Sequence, residues 1–433
     1  MQSRLIGRAS VSLISIGIII LFMTVSLGRL FPTTIIMAQV KPDNANAIRI
    51  AVFDTQRNSS FRLDLPTSLK NTGTFSDDGR WLILPTENFQ FMVWNMLTGQ
   101  IITFPENYSD CVVLDGWDWI DNDQKVLFQC RHHDGIFMMG GVHVVDIADG
   151  TFYPVYYRQN DQISSLVVSP DEKSFLVFDN GWHRVDIDNL ATQAIISNER
   201  YFFLILWFPD NQALLGLTST TIEYYHFDAL KWDILFENKN YQQVQISPDG
   251  NHIALLSDDN PPQVEIFHLA SQTRTAIQSE DYSLANAVFI AWSPDSQFLY
   301  IRVAPYNSKE SNRYYLVRPD NGFITPLAEN LTINPIWSPD KRLVSYYTFS
   351  PTNTSPPRLY VMDVAHYLAD GGRPEPIITY ATGVQWSQNN ADIAFIYYHP
   401  DMKNRAIGFY SLDGNMRFLT GENENAISFT FLR

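Results

Sequence analysis

Short apolar runs, bounded by polar turn residues, fill most of the chain after its N-terminal part. His252–Ser257 is one such run, and we expect it to form a half-buried β-strand. Such runs recur in groups of four, so each group predicts four short strands, and long amphipathic helical patterns are scarce. Tyr367–Arg373 interrupts one group as a small insertion. Two groups show the pattern best: Gln243–Ser247, His252–Ser257, Gln263–Leu269 and Thr273–Gln278, then Asn334–Ser338, Arg342–Tyr347, Arg358–Asp363 and Pro376–Tyr380.

A turn motif accompanies each group, at the end of its first strand. Its best copies are Trp292-Ser293-Pro294-Asp295 and Trp337-Ser338-Pro339-Asp340. Anchored on the serine or its equivalent, the copies fall at residues 76, 120, 169, 208, 247, 293, 338 and 387, at intervals of 39 to 49 residues. A repeat of this length built from short strands indicates a β-propeller.

The residue types of the motif suit a hairpin turn between the first, inner strand and its neighbour. Ser can bond the local backbone, and Pro presets φ for a type I turn. Asp tolerates the bridge or left-handed region, and Gly follows where φ is positive. The aromatic residue before the turn ends the inner strand, so we expect it to fill the wedge between adjacent blades.

The two ends of the chain supply further strands. Ile48–Asp54 is predicted as a third strand and Phe61–Leu65 as an outer strand, while Ala426–Leu432 is predicted as an inner strand. Strands from both ends in one blade would close a propeller and remove its edges. The second strand of that composite blade is not evident. We therefore expect an all-β propeller of eight four-stranded blades, with seven or nine as alternatives, preceded by one N-terminal hydrophobic helix.

The N-terminus differs in kind from the rest. Arg4 and Arg8 precede an apolar stretch from Ala9 to about Gly28, a pattern typical of an export segment. Its length favours an uncleaved membrane anchor over a cleaved signal, whose best site would follow Ala38. Either alternative places the propeller outside the cytoplasm: membrane-anchored, or secreted or periplasmic. The predicted organisation is a leader or anchor at 1–40, a linker at 41–46 and a propeller at 47–433.

The net charge of the chain limits the classes of partner. Its formal value of −16 disfavours nucleic acid, because phosphates would be repelled.

The two cysteines, Cys111 and Cys130, flank a predicted hairpin turn at Asp121–Gln124. In a regular register Cys130 would lie opposite residue 115, about 13 Å from Cys111. A disulfide, which an exported protein could form, would therefore need an irregular strand.

These repeats resemble the TolB-type, or WD40-like PD40, propeller family. The matching segments are Trp337-Ser338-Pro339-Asp340, Ile253-Ala254-Leu255, Ile393-Ala394-Phe395, Leu359-Tyr360-Val361-Met362-Asp363 and Phe418-Leu419-Thr420. The resemblance covers about residues 47–433 and is specific for fold rather than activity. It implies periplasmic or surface interaction propellers, or propellers fused to peptidases. The chain departs from both, with no evident α/β domain like that of TolB and no Gly-x-Ser-x-Gly motif.

Acidic residues recur where an outer strand leads to the next inner strand. In propellers such loops gather on one face, so they could form a negatively charged mouth that binds a cation or a basic peptide, although loops are commonly polar. These weak binding candidates are Asp110, Asp161, Glu199, Glu280, Asp281, Glu422 and Glu424. One tight histidine cluster, Arg131-His132-His133-Asp134 with His143 nearby, is predicted to be a solvated loop, because a metal site needs three or four converging ligands.

We expect a monomeric, non-catalytic propeller that presents its loops to a protein or peptide partner, with no cofactor and no catalytic residues. The alternative is a propeller enzyme of the lyase, lactonase or cyclase type with an axial metal or acid–base site. Such a site needs His and Asp or Glu at the starts of several inner strands. Most of the nine histidines lie elsewhere, which disfavours the enzyme.

Overall fold

The computed structural model describes residues 35–432, except for a set of short internal segments. Those segments are 44–47, 56–57, 65–72, 87–88, 134–137, 159–164, 179–180, 196–201, 238–239, 279–283, 285, 305–311, 330–334, 349–355 and 372–373.

The described chain folds into nine four-stranded sheets, antiparallel in every pair whose register is described. The first four sheets contain β1 Ile35–Pro42, β2 Arg49–Asp54, β3 Ser59–Asp64 and β36 Glu424–Phe431; β4 Thr74–Phe75, β5 Trp81–Pro85, β6 Phe91–Asn95 and β7 Ile101–Thr103; β8 Val112–Ile120, β9 Lys125–His133, β10 Met138–Asp146 and β11 Phe152–Arg158; and β12 Ser165–Val168, β13 Ser174–Phe178, β14 Trp182–Asp186 and β15 Thr192–Ala194.

Sheets five to nine continue the same order of strands. They contain β16 Leu204–Trp207, β17 Ala213–Leu217, β18 Thr221–His226 and β19 Lys231–Glu237; β20 Tyr241–Ile246, β21 His252–Ser257, β22 Val264–His268 and β23 Thr273–Ala276; β24 Ala287–Trp292, β25 Leu299–Val303, β26 Arg313–Val317 and β27 Ile324–Glu329; β28 Ile336–Trp337, β29 Leu343–Thr348, β30 Arg358–Asp363 and β31 Pro376–Thr379; and β32 Ala381–Trp386, β33 Asp392–Tyr397, β34 Ala406–Ser411 and β35 Met416–Phe418.

The fold is therefore an all-β propeller of nine blades, and the prediction of eight is wrong. All eight turn motifs mark true sheets, including the weak copies at residues 120 and 208. The blade beyond the predicted eight is the composite one, given above as the first sheet, in which β36 from the C-terminus pairs with β1 in the order β3-β2-β1-β36. Its second strand, which is not evident in the sequence, is β1.

Strand β1 explains why the sequence hid this blade. Its residues from Ile35 to Val40 are buried, and it pairs with β2 on one side and β36 on the other. The Gln39 side-chain amide also donates a hydrogen bond to the Gly73 carbonyl at 2.8 Å and accepts one from the Gly73 backbone amide at 2.9 Å. A strand buried on both faces has a largely apolar sequence, so β1 is hard to tell from the apolar residues that precede it in the sequence. It occupies residues predicted as leader and linker.

The predicted N-terminal hydrophobic helix is not among the observed elements, because its residues lie outside those described. The described chain contains one α-helix, α1 Val364–Asp370, and a short 3₁₀ turn at Glu106–Tyr108. Helix α1 is the insertion predicted between the third and fourth strands of its blade. Within the described residues, no helix has the length and apolarity needed to cross a membrane.

The turn motif has the geometry that its residues predict. In the sixth sheet the buried Ser247 hydroxyl donates to Asp249 at 2.6 Å and accepts from the His252 amide at 2.9 Å. The residue three positions after each anchor is left-handed in all eight turns, with φ between 58° and 72°. Glycine fills this position only twice. The full set is Gly79, Asp123, Glu172, Asn211, Gly250, Ser296, Lys341 and Asn390.

Several non-glycine residues at that position bond the turn of the preceding sheet. The Ser296 hydroxyl accepts from the Asp249 amide at 2.9 Å, and Asn211 accepts from the Asp171 amide at 3.2 Å. Asp123 accepts from two consecutive amides, those of residues 77 and 78, at 3.1 and 2.8 Å. A polar side chain there offsets part of the cost of the left-handed backbone by linking neighbouring blades.

Cys111 and Cys130 form a disulfide, with their Cα atoms 5.6 Å apart. The regular register that argued against the bridge does not hold. Between Leu114 and Trp117 the β8–β9 pairing shifts, so that Cys130 lies opposite Val113 instead of residue 115. The bulge shortens the path and brings Cys111 within reach of its partner.

The chain divides into two compact units. The first comprises residues 1–166, 185–192 and 385–433, and the second comprises 167–184 and 193–384. In the first unit, buried residues of β1, β2 and β36 pack with Ile407 and Phe409 of β34. In the second, the sixth and seventh sheets share a cluster that includes Leu256 and Ile290.

Candidate functional site

The structure places only part of the predicted acidic face. Asp110 and Glu422 are exposed in turns, and Glu424 is half-buried in β36. The other four candidates lie outside the described residues: Asp161, Glu199, Glu280 and Asp281. The predicted acidic mouth therefore stays a prediction.

Glu424 has a structural role. Its carboxylate accepts two hydrogen bonds from the Arg62 guanidinium, at 2.5 and 2.6 Å, and a third from the Gly421 amide at 3.1 Å. The Arg62 hydrogen bonds lower the pKa of Glu424 below its usual value. This ion pair joins β3 and β36, the two edge strands of the composite sheet.

Replacing Glu424 by Gln is expected to cost about 1–2 kcal/mol of stability at neutral pH. Because the folded pKa is lowered, this contribution is present above the unfolded pKa and is lost as the pH falls through the folded value. Urea unfolding of both proteins between neutral pH and about pH 2 measures it. We expect the stability difference to shrink with acid, and the exposed Glu422→Gln to change little. A constant difference across the range would contradict this.

The structure describes only part of the histidine cluster, and it places two of its histidines in a strand instead of the predicted loop. His132 and His133 lie in β9, and Asp134 is outside the described part. His143 is buried in β10, where Nδ1 lies 3.0 Å from the Tyr108 hydroxyl and the ring stacks on Phe128 at 5.6 Å. His143 therefore belongs to the core of its sheet. The described residues contain no group of three or more His, Cys, Asp or Glu arranged to hold a metal.

A groove of about 680 Å³ lies beside α1 in the second unit. We call it the α1 groove. Its apolar floor consists of Phe298, Trp337, Val364 and Leu368, which belong to one packed cluster. Ala365 and Ala369, both exposed on α1, line one wall.

Helix α1 exists because local signals start and stop it within two turns. The Asp363 side chain accepts a hydrogen bond from the His366 amide at 3.0 Å, as an N-cap residue does. Gly371 ends the helix in the left-handed region, with φ of 66°. Elsewhere an aspartate in the same place starts a tight turn, as Asp146 does through the Ala148 amide at 2.9 Å. The groove is thus a departure from the repeat.

The rim of the α1 groove carries three exposed cations, Arg318, Lys341 and Arg342. The Arg318 guanidinium lies over the Phe298 ring at 5.9 Å, and Lys341 Nζ bonds the Pro294 carbonyl at 3.1 Å. Arg342 Nε lies 3.6 Å from the Asp363 carboxylate.

Two aspartates, Asp295 and Asp340, also line the groove, and each accepts a hydrogen bond from the serine of its own turn motif. Ser293 donates to Asp295 and Ser338 donates to Asp340, each at 2.6 Å. The Ser338 hydrogen bond lowers the pKa of Asp340, so this carboxylate is ionised at neutral pH. The sequence analysis did not predict the groove, although the insertion at Tyr367–Arg373 that contributes to it was visible in the sequence.

The sequence matches no protein-family model and no curated protein. Among solved structures, the chain is similar to a eukaryotic initiation factor, with a TM-score of 0.61 and 12% identity over 92% of this chain and 97% of that one. It also matches a manganese-bound oligogalacturonate lyase (TM-score 0.43, 12% identity, 64% and 84% covered) and TolB from Acinetobacter baumannii (0.32, 12%, 71% and 83%). These likenesses concern the propeller fold and carry no argument about activity.

Proposed function

We propose that this protein is a non-catalytic, extracytoplasmic propeller that binds a protein or peptide partner in the α1 groove. One observation carries the proposal: a short helix departs from the blade repeat and creates a groove with an apolar floor and a charged rim. Apolar recesses with a few convergent polar groups are the usual form of a binding site.

The chemistry of the rim favours binding over catalysis. A general acid or base works best with a pKa near the operating pH. The Asp340 pKa is instead lowered, and both groove aspartates accept hydrogen bonds from the serines of their own turns. The carboxylates therefore act as fixed charges that hold the turns.

Export is part of the proposal. Its support is the apolar stretch after Arg4 and Arg8, together with the Cys111–Cys130 disulfide. Disulfides persist in oxidising compartments and are rare in the cytosol.

Site-specific photo-crosslinking in the native cells tests the proposal. A photoreactive phenylalanine analogue replaces Ala365 on α1 or, as control, the exposed Lys173 in the turn of the fourth sheet. We expect a discrete protein adduct from position 365 and none from position 173. Export is tested separately: protease added to cells whose cytoplasmic membrane is intact should digest the propeller. The absence of an adduct at position 365, or stoichiometric metal in the purified protein, would contradict the proposal.

A further inference from the structure

Resting on the proposed function, we infer that the α1 groove binds a short acidic protein segment carrying a bulky apolar side chain. The inference combines two features of the same groove, an apolar floor and a rim that carries three exposed cations. Each feature selects one half of the ligand.

The apolar half follows from the floor. Phe298 and Val364 are buried, and Trp337 and Leu368 are half-buried against the same cluster. About 680 Å³ is within the range of ligand pockets and accommodates more than one side chain. Covering such a floor with an apolar side chain removes its surface from water, at about 25 cal/mol per Å². Ala365 and Ala369 leave room because their side chains are small.

The acidic half follows from the rim. The chain carries a formal charge of −16, and three cations nevertheless surround this groove. Arg318 and Lys341 have their cationic groups near a ring face and a carbonyl oxygen. Neither of these contacts is an ion pair, so a carboxylate of a partner can pair with either cation.

The same rim disfavours a polyanion such as nucleic acid. Asp295 and Asp340 line the groove together with the cations, and Asp363 lies 3.6 Å from Arg342 Nε. The serines of their own turns hold the two groove aspartates in place. The closely spaced phosphates of a polyanion would meet these carboxylates, whereas a peptide can place single carboxylates at Arg318 and Lys341.

Calorimetric titration with defined peptides tests the inference. The probe is an end-blocked octapeptide of alternating Glu and Leu, compared with its Gln/Leu and Glu/Ala counterparts. We expect the Glu/Leu peptide to bind at least about tenfold more tightly than either counterpart, with affinity falling as salt is added. Equal binding of the three peptides, or no binding of any, would overturn the inference.

Protein variants locate the site. Ala369→Glu adds bulk and negative charge to the exposed wall, so we expect at least about tenfold weaker binding, whereas Ala369→Lys should bind as well as the parent. Arg342→Gln should weaken binding about two- to fivefold. Its matched control is Lys173→Gln, at the same turn position in the fourth sheet, which should have no effect. Binding that is indifferent to Ala369→Glu would overturn the assignment.

The two proposals fail in different ways. An adduct at position 365 without peptide binding would reject the acidic and apolar ligand while the partner function stands. Failure of both experiments would reject the function with it.

Discussion

A chain that begins at Gln39 is expected to lose its cooperative unfolding transition, whereas a chain that begins at Ile35 should keep it. The four residues that separate the two chains form the first half of β1. They pair with β2 on one side and β36 on the other. Their removal therefore weakens the sheet that the two chain ends share.

The expected effect is large because these side chains are buried. Ile36, Met37 and Ala38 have no exposed surface, and Ile35 is 4% exposed. Burial of one Ile or Met side chain contributes about 1.5–3 kcal/mol. Loss of three such side chains approaches the whole stability of a typical domain, about 5–15 kcal/mol.

Near-ultraviolet circular dichroism and urea unfolding of the two purified chains measure this effect. The Ile35 chain is the control for the loss of the preceding residues. A Gln39 chain as stable as the Ile35 chain would contradict the role of β1. Since cleavage after Ala38 would produce the same truncation, we also predict that the folded protein retains Ile35.

Gly79→Ala is expected to destabilise the protein by about 2–4 kcal/mol, and Gly250→Ala by about 1 kcal/mol. Both glycines hold the left-handed position of the turn motif, with φ of 71° and 72°. Their surroundings differ. A Cβ atom on Gly79 would lie 2.7 Å from the Phe431 carbonyl oxygen, whereas on Gly250 the nearest atom, in Pro209, is 3.6 Å away.

The pair separates backbone strain from contact with the C-terminal strand. Gly250→Ala adds strain alone, while Gly79→Ala also pushes against the backbone of β36. Urea midpoints at constant m-value measure both free energies of unfolding. Equal losses of unfolding free energy in the two variants would show that the backbone of β36 does not crowd a side chain at residue 79.

The repeat predicted most of the fold because its turn chemistry is local. Ser and Asp form the same hydrogen bonds wherever the full motif occurs. The weak copies at Ile120 and Phe208 lack the serine but keep the left-handed residue, Asp123 and Asn211, and they mark sheets too. The composite blade was not recognised as a ninth blade because its two inner strands, β36 and β1, come from opposite ends of the chain and so have no turn motif between them. The disulfide was left open because it depends on the bulge between Leu114 and Trp117, whose sequence signal is the single glycine Gly116.

The α1 groove could be predicted only in part. The insertion at Tyr367–Arg373 is visible in the sequence, as are the cap residue Asp363 and the terminating Gly371. The sequence does not show that Arg318 and Arg342 line the same groove, because this depends on how neighbouring blades pack. The ion pair of Glu424 with Arg62 was not visible for a similar reason, since the two residues lie far apart in sequence. The acidic mouth itself stays a prediction.

Hydrogen exchange with and without the Glu/Leu octapeptide tests the binding claim most directly. We expect slower exchange of the amides of α1 and of the two turns that line the groove, residues 293–298 and 338–343, with the sheets that do not line the groove unchanged. Slower exchange confined to the turns of Asp110 and Glu422, or no change anywhere, would contradict the assignment of the α1 groove as the binding site.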